Sequence, residues 1–136
     1  MTPKELKART EEFSKSIITF CAPLLDGVRT RDMARQLLRS GTAVDANYGS
    51  AQRGRSHDEF TARLGIVFDE SSEAKGWLDL MQRSALIGET EAFRSLQRES
   101  AELTRIFAVS YRTARAKQAT KRAEKMKQLR VKSTPR

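Results

Sequence analysis

One run of side chains limits what this chain can fold into. Phe60, Leu64, Val67, Ser71, Ala74, Leu78, Met81 and Ala85 step by 4, 3, 4, 3, 4, 3, 4. A strand would alternate with a period of two, so this spacing predicts one long amphipathic helix. Its apolar stripe must be buried against other helices, which already favours an all-helical assembly. Ser56 and Glu59 stand three apart at its start, the spacing of a capping box. Gly88 is the expected stop. Gly65, Ser72 and Gly76 lie on a different face of the same helix. Each interior glycine costs ~1 kcal/mol against alanine, so two on one stripe predict a close contact with a bundle neighbour or another subunit. Trp77 flanks the seam and reads as a core or interface anchor.

Composition and periodicity disagree over Gln36 to Gln52. Gly41, Gly49, Asn47 and three hydroxyl residues suggest a loop. Ala34, Leu37, Gly41, Val44, Tyr48 and Ala51 keep helical spacing throughout. A loop has no reason to hold that spacing, so a helix starting near Thr30 is expected, stabilised by packing rather than propensity. Its end is expected at Arg53-Gly54, with Gly54 available for a left-handed cap.

The first helix should open at Thr2-Pro3-Lys4-Glu5 and carry the seam Leu6, Thr10, Phe13, Ile17, Phe20 and Leu24. Pro23 cannot continue the hydrogen-bond ladder, which predicts an end near Cys21. The fourth helix should start within Glu89-Thr90-Glu91 and bury Phe93, Leu96, Ser100, Leu103, Phe107, Ser110 and Ala114. Past Tyr111 its apolar pattern thins, so it is expected to outrun the body and fray, with residues 133–136 disordered. Four amphipathic helices with short links predict an antiparallel up-and-down four-helix bundle over residues 1–111 and a basic C-terminal extension over 112–136.

Charge separates these two parts. Residues 1–111 hold 16 Lys+Arg and 16 Asp+Glu, whereas residues 112–136 hold ten Lys+Arg and only Glu124 as an acid. A neutral body with a dense basic tail points to a polyanionic partner, RNA or DNA before a membrane. The candidate phosphate contacts are Arg112, Arg115, Lys117, Lys121, Arg122, Lys125, Lys127, Arg130, Lys132 and Arg136. In the body, Arg31, Arg35 and Arg39 repeat every four residues beside the second seam, and Arg53 and Arg55 follow it. Arg31, Arg35 and Arg39 fit either a phosphate-contacting stripe or a solvated flank paired to acids on a neighbour.

Other chemistry finds little support. His57 is the sole histidine, so a di-iron bundle site with two Glu-x-x-His motifs cannot form. No metal or cofactor is expected. Gly49 to Ser56 reads G-x-x-x-x-G-R-S, but it lacks the preceding strand and the lysine of a phosphate-binding loop. Asp69, Glu70 and Glu73 read as a solvated face, and no catalytic constellation is expected. Cys21 reads as a small core residue, and a single cysteine fits a reducing cytoplasm. No run of 18 apolar residues suggests a membrane span, and the first residues lack the apolar stretch of a signal peptide.

Two stretches carry a family resemblance. Residues 36–47, Gln-Leu-Leu-Arg-Ser-Gly-Thr-Ala-Val-Asp-Ala-Asn, resemble the second-helix signature of the four-helix-bundle proteins named after intervening sequences in bacterial 23S ribosomal RNA genes. Phe60 to Ile87, with Glu70-Ser71-Ser72-Glu73 and Trp77-Leu78-Asp79-Leu80, resembles that family's third helix. The resemblance implies a left-handed bundle assembling into a ring-like homopentamer. A related group, the accessory proteins of diversity-generating retroelements, is similar in fold, binds nucleic acid and partners a reverse transcriptase. Gly41, Asn47, Glu73 and Trp77, with Arg39, would be structural signature residues. Asp45 and Ser50 stand where the family usually has glycine and glutamate, and the basic tail lies outside the match.

Two functions follow from different classes. One is a non-enzymatic oligomer binding nucleic acid, RNA first, and accessory to a reverse transcriptase. The other is a structural or protein-interaction scaffold whose tail only aids solubility.

Overall fold

The four apolar seams become four helices. The computed structural model describes residues 1–133 and contains α1 (Pro3–Leu24), α2 (Arg31–Gln52), α3 (His57–Ser84) and α4 (Glu91–Ser133). No strand occurs among the described residues. Connections of a few residues force each helix to pack antiparallel to the one before it. The seams meet in one core built on Ile17, Leu37, Val44, Leu64, Val67, Leu78, Met81, Phe93, Leu103 and Phe107, all at most 1% exposed. Tyr48 crosses it to meet Phe107, with ring centroids 5.4 Å apart.

The Gln36 to Gln52 segment is helical throughout, and Ala34, Leu37, Gly41, Val44, Tyr48 and Ala51 are all buried. Packing therefore overrides propensity here. Gly41 shows how. A Cβ at this position would stand 2.9 Å from both Cγ1 and Cγ2 of Ile17. The missing side chain is the space that Ile17 of α1 fills. Polar contacts tie α1 to its neighbours. Lys7 Nζ donates to Asp45 at 2.7 Å, and Thr10 Oγ1 donates to the same oxygen at 2.8 Å. The carboxylate at position 45 thus joins α1 to α2. Across the gap between α1 and α4, Arg9 forks onto Glu99 and reaches Glu102.

Helix ends differ from expectation in four places. α1 does not stop near Cys21 but runs through Pro23 to Leu24. Proline removes only one donor there, in the last turn, and Leu25 N–H still reaches Cys21 O at 3.2 Å. Gly54 adopts no left-handed conformation. α2 instead tightens, with Arg53 N–H shared between Gly49 and Ser50 carbonyls, and Gly54 N–H on Ala51 O at 3.1 Å. Gly54 supplies room, since a Cβ would lie 3.1 Å from Phe60 N. α3 is closed by Ala85 rather than Gly88, with φ of 56°. Ala85 is therefore an exposed cap and not the last core position of the seam. Finally, α4 outruns the body as expected but does not fray before Ser133. It contains no glycine or proline and is rich in Ala, Lys, Arg, Gln and Glu, which sustain a helix to Ser133. Arg130 and Lys132 in its last turn complement the helix dipole. Ser133 is helical; the rest of the expected disordered segment, residues 134–136 with Arg136, lies outside the described residues.

Candidate nucleic-acid interface

α4 is 43 residues long, while its last buried residue is Ala114. The remainder is an arm. Two contacts fasten its root to the start of α3: His57 Nε2–H donates to Ala114 O at 2.9 Å, and Gln118 Nε2 donates to Asp58 Oδ1 at 2.8 Å. The Gln118 hydrogen bond, with Arg122 and Lys121 nearby, holds the Asp58 carboxyl below its ordinary range. From Ala119 to Ser133 every residue is exposed. At 1.5 Å per residue that is a free helix about 22 Å long.

Helical periodicity sorts the arm's cations by type. At ~100° per residue, Arg112, Arg115, Arg122 and Arg130 fall on one side, joined by Arg105 from the body. Lys117, Lys121, Lys125 and Lys132 fall on roughly the opposite side, and Lys127 stands apart from both groups. An arginine face offers planar, forked donors to phosphates, and a lysine face offers point charges.

The body's candidate arginines sit in different settings. Arg39 bonds Glu70 at 3.1 Å and also Glu73, so this member of the expected stripe ties α2 to α3. Those two carboxylates, Glu73 first, raise the pKa of Arg39. Arg31 Nε donates to the Leu25 carbonyl at 3.0 Å, fastening the α1–α2 turn. Arg53 reaches only its own helix, at Ser50 Oγ. Arg35 and Arg55 are exposed and make no polar contact with any described residue. The stripe is thus split among three different settings and does not present three free guanidinium groups.

A feature of the arm's root was not read from the sequence. Phe68 of α3 and Tyr111 of α4 stack at 6.3 Å, and the Arg115 guanidinium lies 5.6 Å from the centre of the Tyr111 ring. Gly65 lets Tyr111 settle there, since a Cβ on it would be 3.0 Å from that ring. Gly65 is therefore explained by packing within the chain. Gly76, on the same stripe, has nothing within 4 Å and does not support a close contact within the bundle. The signal available in the sequence was the i, i+3 pair Gly65 and Phe68, beside an aromatic at the boundary between body and tail.

The family profile described as 23S rRNA-intervening sequence protein matches residues 4–108. The chain belongs to that family. The match ends before Arg112, so the arm's cations lie outside the matched residues. A solved structure is similar, that of a protein of unknown function from the S23 ribosomal protein family of Bacteroides thetaiotaomicron. It is 28% identical with a TM-score of 0.74, over 82% of this chain and 99% of its own. No curated protein matches.

Of the residues that carry the resemblance, Arg39 and Glu73 join α2 to α3, while Trp77 and Asn47 bond within their own helices. Trp77 Nε1–H donates to Glu73 at 3.4 Å, so Arg39, Glu73 and Trp77 form one network. Arg39 is also the main reason the Glu73 carboxyl sits below its ordinary range. Asn47 Nδ2 donates to Ala43 O within α2 at 2.8 Å. Among the described residues no cluster of His, Cys, Asp and Glu could hold a metal ion. No helix among them is long and apolar enough to cross a membrane.

Proposed function

We propose that this chain is a non-enzymatic, oligomeric nucleic-acid-binding protein of the cytoplasm, with RNA as its first ligand. Residues 1–111 are its bundle and residues 112–136 its binding arm. One observation carries this reading: the excess positive charge, ten Lys+Arg against the single acid Glu124 in residues 112–136, is carried on a helix that leaves the body and buries nothing beyond Ala114. A polyanion is the partner such a helix attracts. The names of the family and of the similar solved structure favour RNA among polyanions. A cyclic homo-oligomer would bring several arms to one strand and raise avidity without new contacts. Five copies is the number the family resemblance implies, and a reverse transcriptase is the protein partner it implies.

The test compares the full chain with a chain ending at Gln118, which keeps every buried residue and both root contacts. If about half of ten arm cations engage, log affinity should fall with log salt at a slope of roughly −3.5 to −4.5. The shortened chain keeps only Arg112, Arg115 and Lys117 of the arm's cations, so the arm's contribution to its slope should be no steeper than about −2.7. An unchanged slope would remove the arm from the mechanism. Absence of salt-sensitive binding by the full chain, on RNA and DNA alike, would favour the scaffold function instead.

A further inference from the structure

Arm cations alone give affinity without any preference for single or double strands. The root of the arm offers more. Phe68, Ala108, Tyr111, Arg112, Arg115 and Ala116 line an open notch of about 450 Å³ between α3 and α4. Its floor is aromatic and its rim is guanidinium. Tyr111 is held in place by Gly65 beneath it and Phe68 beside it, so ordering this ring costs little when a ligand arrives. Arg112 and Arg115 form no hydrogen bond or ion pair with any described residue, in contrast to Arg9 and Arg39. Arg115 only covers the Tyr111 ring, a contact that a nucleobase can join or replace. Arg105 and Arg122 extend the same side of α4 in both directions. A strand with one base in the notch would run its phosphates along that arginine face.

We propose that this notch is a nucleobase-stacking site for single-stranded nucleic acid: one unpaired base stacks against the Tyr111–Phe68 floor while Arg112 and Arg115 take the flanking phosphates. The inference rests on the arm as the source of affinity and adds strand selectivity to it. Duplex bases are already stacked on each other and cannot enter, whereas any unpaired base has a π-face to offer. Stacking on the aromatic floor uses the face that every base has, and the two guanidinium groups are assigned to phosphates, so selectivity for strandedness rather than sequence is expected.

The experiment measures binding of the full chain to a 20-mer of uridine, to a duplex of equal length and to a single strand of equal length that is abasic at every position. Stacking is worth about 1–3 kcal/mol per base, which is roughly 5- to 150-fold in affinity. Wild type should prefer the intact single strand to the abasic one by at least about fivefold. Tyr111→Leu, which keeps an apolar body over Gly65, should lose that preference, with duplex affinity changed by less than about twofold. Tyr111→Phe should retain it. Equal binding of intact and abasic strands by wild type would overturn the proposal whether or not Tyr111→Leu folds, and it would leave the arm's salt-dependent affinity standing. Equal losses on single strand and duplex in a folded Tyr111→Leu would overturn it as well. No binding to any of the three would remove the arm and the notch together.

Discussion

Alanine at Gly41 and alanine at Gly76 are expected to move stability in opposite directions. Both glycines sit inside helices, where alanine gains about 0.8–1 kcal/mol by restricting the unfolded backbone. At Gly76 nothing lies within 4 Å of the new methyl group, so Gly76→Ala should stabilise by about that amount. At Gly41 the same methyl meets Cγ1 and Cγ2 of Ile17 at 2.9 Å. Carbon atoms prefer about 3.5–4.0 Å, and Ile17 is 0% exposed and branched at Cβ, so it has nowhere to turn. Overpacking of this kind costs typically about 1–3 kcal/mol. Gly41→Ala should therefore destabilise by about 1 kcal/mol net, a contrast of ~2 kcal/mol with Gly76→Ala. Urea unfolding at one fixed protein concentration measures both, the concentration being held because assembly would shift the midpoint. The decisive arm uses Ile17→Ala as the background. There the clash is gone, and Gly41→Ala should become stabilising. If Gly41→Ala destabilises equally with and without Ile17, the close approach of α1 is not what this glycine serves.

Three further outcomes follow from the same geometry. Val44→Asp places a carboxylate at a 0% exposed site and should cost several kcal/mol, seen as loss of the cooperative thermal transition at 37 °C or below. Ala85→Gly should stabilise by about 1 kcal/mol in chemical denaturation, because the αL cap at φ 56° is strained only for a residue with a Cβ. Burial pushes the Cys21 thiol up to about 11 from a reference of 9.0. Folding therefore favours the protonated thiol: this contribution is complete below pH 9 and is lost as pH rises toward 11. Native protein at pH 8 should accordingly react with a thiol reagent only at the rate of unfolding, and fast native labelling would refute the buried placement.

Helix number and type were legible because they are local. Side chains three and four apart share a face whatever the rest of the chain does, so the seams through Val44 and Leu64 could be read directly. The separation of charge between residues 1–111 and 112–136 was legible for the same reason. Helix ends were less so. The expected stops at Cys21 and Gly88 gave way to Leu24 and Ala85, and the left-handed cap expected at Gly54 did not form, because single-residue preferences near helix termini are worth only about 1 kcal/mol and packing outweighs them. The tertiary structure alone decided which charges cancel. Lys7 meets Asp45 from 38 positions away, and Arg9 meets Glu99 from 90. It alone brought Gly65 and Phe68 against Tyr111 and left Arg112 and Arg115 open beside them. Such meetings depend on the axial register and rotation of one helix against another. Those are set by how ridges of side chains settle into grooves, and no spacing along a single helix records them.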